Sequence, residues 1–257
     1  MISEDKDKRT GITSFVLHII AMILMLCDHL WGTFLTKYDI LTCIGRMSFP
    51  LFAFMLVEGF RHTSNRKKYV SRLFVFAVIS EIPFNLMMAS RLINPFHQNV
   101  LWSFLLGIVL MSIYDRIKEN KHVLGRLGGY AIVTVIFYLL GIVTFVDYYG
   151  YGILMIALFY FTEIQMSQSV FCKMLNMAIQ IAGMYWINCG MMKGLLLTFT
   201  IMGIPFKFYQ QGFALLSLPL IWLYNGKQGY YNRGIKYFYY LFYPVHIAVL
   251  GVLITIL

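Results

Sequence analysis

The sequence is short of charge. Only 12% of its 257 residues are Asp, Glu, Lys or Arg, about half the share usual in a soluble domain. Charged residues are missing for stretches of about 20 residues at a time, so a water-soluble globule of this size would lack its polar coat. Acids are scarcer still, 11 against 21 Lys and Arg, for a net charge of +10. The four cysteines, Cys27, Cys43, Cys172 and Cys189, form no CxxC pair; each reads as a small apolar filler and no disulfide framework is indicated. No HExxH, GxxxxGK[ST] or GxGxxG occurs, which leaves zinc-protease, ATPase and dinucleotide-binding readings without support. No metal, haem or flavin is implied.

What is present is apolar: 60% of the chain is hydrophobic and 17% aromatic. Runs with few interruptions fall near 13–35, 43–60, 70–90, 99–114, 127–146, 150–162, 169–187, 190–205, 212–224 and 236–257. A lipid-embedded segment must satisfy its own backbone, and an apolar run of this length does so as a helix. The expected architecture is therefore all-α, a polytopic membrane bundle of about ten helices, or eight to ten if the short runs at 150–162, 190–205 and 212–224 are re-entrant or paired as broken helices. One membrane domain is expected over 11–257, after a leader at 1–10. The first run carries Asp28 and His29 and lacks a small-residue cleavage pattern, so it reads as a retained helix and not as a secretory signal.

The excess positive charge reports orientation. Lys6, Lys8 and Arg9 precede the first run, Arg61, Arg66, Lys67, Lys68 and Arg72 follow the second, and Arg116, Lys118, Lys121 and Arg126 follow the fourth. Only Lys37, Arg46 and Arg91 fall near the alternate ends, and twelve against three is the asymmetry of the positive-inside rule. The N-terminus is expected in the cytoplasm and no nucleic-acid partner is needed; the partner is the bilayer. Ten spans would, however, put the last basic loop, with Lys227, Arg233 and Lys236, on the outside.

Ionisable groups in hydrocarbon are costly and mark function by default. Here they concentrate in the first three runs: His18, Asp28 and His29, then Arg46 and Glu58, then Glu81 with Asn85. His18 and His29 are 11 residues apart, about 20° from three whole turns and roughly 16 Å along a helix, so they share one face. The second run returns, which sets Arg46 at the depth of Asp28 and His29, and Glu58 at the depth of His18. Two polar levels joined by a channel are expected. The outer level is the catalytic candidate: a neutral imidazole, with an ordinary pKa of about 6.5, accepts a proton from an amine or hydroxyl. Asp28 lies about 100° around the helix from His29 and pairs more naturally with Arg46, either as a structural ion pair or within the site.

The remaining polar candidates are divided between cap and site. Glu81 and Asn85 flank Pro83 in SEIPFN, where proline should bend or break the helix. Gln98 and Asn99 precede the fourth run and cap it or face the site. Asp147, in DYYGYG, is a boundary cap or a site acid, and His246, in FYPVH, is a second histidine with structural and functional readings evenly matched.

The strings HIIAMILMLCDHL (18–30), IGRMSFPLFAFMLVEGFRHTSNRKKYVSRLFVFAVISEIPFN (44–85), QNVLWSFLLG (98–107), DYYGYGILMI (147–156), QGFALLSLPLIWLYNGKQG (211–229) and FYYLFYPVHIAVL (238–250) together resemble the TraX protein family, in order and over most of the chain. The resemblance implies acetylation of a pilin N-terminus in one member, and kinship with the membrane acyltransferases that include the type-three acyltransferases and heparan glucosaminide N-acetyltransferase. It implies acetyl-CoA or another acyl-CoA as cytoplasmic co-substrate and a surface glycan, lipid or exported peptide as acceptor. It also implies a multi-pass protein of the bacterial cytoplasmic membrane. In that class the first helix carries Arg or Lys, ten spacers and a His; here His18 stands at the first position and His29 at the second. The resemblance gives His29 the role of general base, with Asp28 and Arg46 beside it and Arg46 or a helix terminus stabilising the oxyanion. It makes His18, Glu58, Arg66, Lys67, Lys68 and Arg72 candidates to hold the co-substrate, against the simpler reading of the basic loop as an orientation signal. A transporter or channel, and a non-catalytic scaffold of an export or conjugation apparatus, are the competing readings of the same intramembrane charges.

Overall fold

The computed structural model describes residues 10–163 and 169–256; the leader at 1–9, with Lys6, Lys8 and Arg9, lies outside the described residues. Among the described residues the chain is mostly helical, with seven helices or helix pairs long and apolar enough to cross a membrane. The helices are α1 (Ser14–Thr33), α2 (Asp39–Gly45), α3 (Ser48–His62), α4 (Arg66–Ala89), α5 (Val100–Lys118), α6 (Val123–Val143), α7 (Tyr149–Phe161), α8 (Val170–Tyr185), α9 (Ser217–Trp222) and α10 (Arg233–Ile256). Polar side chains start several of them: Thr13 accepts from the Val16 amide, Asn65 from Lys68 and Asn99 from Leu101, each satisfying an amide that the first turn leaves unpaired.

α3 is the axis. Of its apolar window, taken with α2, 61% is buried, against 11% for α6 and 17% for α8, so α3 is enclosed by protein while α6 and α8 turn their apolar faces outward. Leu51, Ala53, Phe54, Leu56, Val57 and Phe60 of α3 meet residues of α1, α5, α7 and α9 in the main core. α10 packs on α4 in a second cluster with Phe84, Met87, Tyr243 and Ile247.

The run expected as one helix at 43–60 is interrupted between α2 and α3. Pro50 has no N–H to give the Arg46 carbonyl and its ring crowds that group, so the helix yields at Arg46 and Met47. α4, by contrast, runs unbroken through Pro83, so of the bend or break expected there the break is absent.

The run at 190–205 is not a helix. α8 ends in a π-helical turn, Trp186–Met192, and Lys193 and Gly194 have φ of +59° and +72°, which closes it. An antiparallel hairpin follows, β1 (Leu196–Ile201) and β2 (Ile204–Tyr209). Its two-residue loop, Met202 and Gly203, has φ of +51° and +83°, as a type I′ turn requires. A 3-10 turn, Gln210–Leu216, leads into α9.

This changes the count. The Leu223 carbonyl accepts from the Ile12 amide and Lys227 from Ser14, so the 223–228 segment lies at the same end of the bundle as the start of α1. α7 and the 210–222 segment are short traverses beside the seven long ones. Among the described residues the chain therefore crosses the bundle nine times, and Lys227, Arg233 and Lys236 stand at the N-terminal end and not opposite it.

Candidate functional site

Two cavities open into the bundle. The one at the N-terminal end has a volume of about 760 Å³, and its walls include His18, Glu58, His62, Tyr69, Arg72 and Lys236. The other, about 240 Å³, lies toward the opposite end and is lined by Asp28, His29, Arg46, Asp147, Tyr148 and Tyr243 among others. Met25, Phe52, Val100, Phe104 and Tyr243 line both. This apolar collar separates two polar levels.

At the distal level Asp28 accepts from the Arg46 guanidinium and from the Thr42 hydroxyl at 2.8 Å, and Gln210 donates to Thr42 in turn. α2 can approach α1 this closely because residue 45 is glycine: a Cβ there would lie 2.5 Å from the Asp28 Cβ. His29 does not bond Asp28. Its Nδ1 lies 2.8 Å from Nε2 of His246, whose Nδ1 lies 2.7 Å from the Phe242 carbonyl. The two rings are nearly parallel, at 10°.

The third wall is a strained loop. Phe145, Tyr148 and Tyr149 have φ of +53°, +61° and +46°, conformations that cost non-glycine residues about 1 kcal/mol or more each. The loop is held by two backbone bonds, Gln98 N–H to Phe145 and Asp147 N–H to Gln98, and by Tyr148 stacked on Phe49 with centroids 3.9 Å apart. Asp147 also lies 3.5 Å from Nε2 of His97. That hydrogen bond, against a partial opposing effect of burial, raises the His97 pKa above its ordinary value of 6.5. The raised value means that His97 stabilises the fold fully below its unfolded pKa and loses the contribution as pH climbs through the folded one. Replacing His97 with Phe is expected to lower thermal stability at pH 5.5–6 by about 0.5–1 kcal/mol. The gap should close toward pH 8 in a melting series of both proteins, and a gap that widens with pH would refute the pairing.

At the N-terminal level Glu58 lies 3.7 Å from His62, and His18 Nδ1 donates to the Ser14 carbonyl at 2.8 Å while its ring stacks on Tyr239 with centroids 4.4 Å apart. Arg72 reaches the Tyr240 hydroxyl at 3.3 Å. Among the described residues the buried Tyr239 hydroxyl has no hydrogen-bond partner, and it belongs to the cavity wall.

The predicted residues thus divide. His18, Glu58 and Arg72 line the larger cavity, and Asp28, His29, Arg46 and Asp147 the smaller. Arg66 is not in either wall; it pairs with Asp115 at 2.7 Å and lies over Phe60. Lys67 and Lys68 are exposed and also outside both walls. Glu81 accepts from Asn99 and from the Trp102 indole at 3.0 Å, Asn99 caps α5, Gln98 donates to the Pro95 carbonyl and Asn85 to Leu92; these four fasten α4, α5 and their loop and line neither cavity. Tyr148, Thr42, Gln210, Tyr69 and Tyr239 were not singled out in the sequence, and Lys236 stood out only as a charge of the last basic loop. Only the adjacent glutamines 210 and 211 in an apolar context offered a signal.

The fold and these two levels define a multi-pass helical membrane protein with two polar cavities that share an apolar wall. The TraX protein family model matches residues 14–254, and the chain belongs to the TraX family. It is 31% identical over 256 residues, 95% of this chain and 96% of the relative, to a Dichelobacter nodosus protein described as "Probable fimbrial assembly protein FimC, serogroup H1". No solved structure matches.

Proposed function

We propose that the protein is an integral membrane acyltransferase that passes an acetyl or similarly small acyl group from acyl-CoA to an amine or hydroxyl of an exported or surface acceptor. The observation that carries this reading is the pair of cavities joined at one collar, with His29 in the smaller one. The larger cavity is of a size suited to a cofactor-sized ligand. Arg72, Lys236, His18 and His62 supply cationic or donor groups for phosphates there, and the unpartnered Tyr239 hydroxyl supplies another polar contact. Acyl-CoA, when bound, provides an acyl group activated as a thioester. The collar excludes water from the reacting end, which strengthens every interaction of Arg46 and the surrounding dipoles with developing charge. His29 takes the acceptor's proton, and an acyl-His variant of the mechanism uses the same ring.

The same reading places the N-terminal end of the bundle in the cytoplasm of a bacterial inner membrane. Nine crossings put Lys227, Arg233 and Lys236 with the other loop cations, so the positive-inside count and the helix count agree. Arg66, Lys67 and Lys68 then act as orientation charges. The relative's description links the family to fimbrial assembly, which favours an exported peptide or an assembly partner as the acceptor side.

The test is acetyl-CoA binding and turnover by protein purified into lipid nanodiscs. Saturable binding with slow release of CoA is expected, and acyl transfer once an exported peptide or surface polymer is supplied. Absence of both sinks the enzyme reading. Passage of a solute through vesicles in the absence of any CoA would support a transporter in its place, a role for which a cavity pair running through the bundle is also suited.

A further inference from the structure

We propose that His246 is a positioning residue for His29: it holds the His29 ring in the tautomer whose Nε2 bears the lone pair, and it accepts the second nitrogen's proton when that lone pair is used. The inference deepens the acyltransferase reading and rests on it for the word base, but its geometry stands on three atoms.

A backbone carbonyl only accepts. The Phe242 carbonyl is 2.7 Å from His246 Nδ1, so Nδ1 carries hydrogen, and in a neutral ring Nε2 is then bare. That bare nitrogen is 2.8 Å from His29 Nδ1. Two lone pairs do not face one another at this distance, so His29 Nδ1 carries hydrogen and, in the neutral ring, His29 Nε2 does not. The chain of bonds is directional: His29 donates to His246, which donates to α10's own backbone. Its origin is a fixed carbonyl one helical turn away, which α10 supplies without any other residue. Phe242 lies against the His246 ring, with centroids 4.8 Å apart at 23°, and Tyr243 meets it edge-on at 5.8 Å, so the imidazole has little freedom to turn.

The arrangement differs from a base oriented by a carboxylate. Asp28 is bound to Arg46 and Thr42, and Asp147 to His97 and the Tyr148 amide. Among the described residues neither imidazole is hydrogen-bonded to an acid. A neutral orienting partner suits this depth, where an unpaired carboxylate would be expensive. The proton balance follows. When an acceptor N–H or O–H gives its proton to His29 Nε2, His29 holds two N–H groups. Its Nδ1 proton then moves along the 2.8 Å bond to His246 Nε2, so the positive charge passes one ring away from the reacting atoms. As the acceptor's nitrogen or oxygen bonds to the acyl carbon and the C–S bond of the thioester breaks, the proton returns by the same bond and His29 Nε2 gives its own proton to the departing sulfur. His246 lines neither cavity and touches no substrate; it acts through His29.

The experiment is nitrogen NMR of the full chain with labelled histidine, in nanodiscs and without substrate. The protein has six histidines, and the His29→Gln and His246→Gln spectra assign the two signals. A protonated Nδ1 and an unprotonated Nε2 are expected for both rings. In His246→Phe the His29 signal should become a mixture of tautomers, and acyl transfer should fall about 10²-fold in kcat with KM for acyl-CoA unchanged. In His246→Gln the carboxamide oxygen replaces Nε2 as hydrogen-bond acceptor but does not take the proton, so the tautomer should return in full and the activity only in part, between His246→Phe and the parent. Wild-type His29 protonated at Nε2, or equal loss in the Phe and Gln variants, would overturn the proposal. The two readings fail separately: expected tautomers in a protein that transfers no acyl group would sink the acyltransferase and leave the dyad, whereas transfer with the opposite tautomer would sink the dyad alone.

Discussion

Replacing His29 with alanine should reduce acyl transfer by about 10²–10⁴-fold, the usual contribution of a positioned proton acceptor, while acyl-CoA still binds. The separation of the two effects is the informative part. His29 lines only the smaller cavity, and the groups assigned to phosphate binding, Arg72 and Lys236, line only the larger. Under the proposed function, truncation of the imidazole should therefore remove chemistry and leave the larger cavity intact. Equilibrium binding of acetyl-CoA beside single-turnover transfer checks both. Retained transfer would remove His29 from the mechanism, and lost binding would mean that the collar does not divide the two levels as described.

The second large effect is on stability. Arg46→Met leaves the Asp28 carboxylate with Thr42 as its hydrogen-bond partner in the wall of the smaller cavity. Their side chains are only about 15% exposed, and stranding one member of such a pair costs about 3–5 kcal/mol. We expect poor yield and a markedly lower unfolding temperature for Arg46→Met. The double variant with Asp28→Asn, which removes both charges, should recover most of that loss, since replacing a whole buried pair is often nearly neutral. Thermal unfolding of the three proteins in one detergent decides it. A single variant as stable as the parent would show that water reaches Asp28 freely.

The parts of the site that were legible in the sequence are those whose cost in lipid is high. Asp28 and Arg46 stood out as charges inside apolar runs, and antiparallel return of the second run was enough to bring them together. His18 and His29 were legible through one number, their spacing. The cavity aromatics were not: Tyr69, Tyr239 and Tyr240 look like interfacial anchors until the fold turns them inward. Tyr148 was hidden for a different reason, because its place depends on three left-handed residues that no composition rule requires. The 190–205 run misled because a short apolar stretch has no period that separates a strand from a helix; the Met202–Gly203 turn was the local signal. With a hairpin in place of that one helix, the last basic loop lies at the N-terminal end of the bundle, beside the start of α1. The break at Arg46 follows from Pro50 by a four-residue rule, and was legible but easily passed over.

The short traverses have an electrical consequence. α7 has 13 residues, about 20 Å of helix, and the 210–222 segment, with seven residues of 3-10 turn and six of α-helix, reaches about 23 Å. The surrounding hydrocarbon is about 30 Å thick. Where these two segments set the thickness of the low-dielectric layer, a membrane voltage would fall over roughly two-thirds to three-quarters of the distance it has in lipid, and the local field would be about 1.3 to 1.5 times as strong. The part of the His29 cavity wall that adjoins α7 is Asp147 and Tyr148.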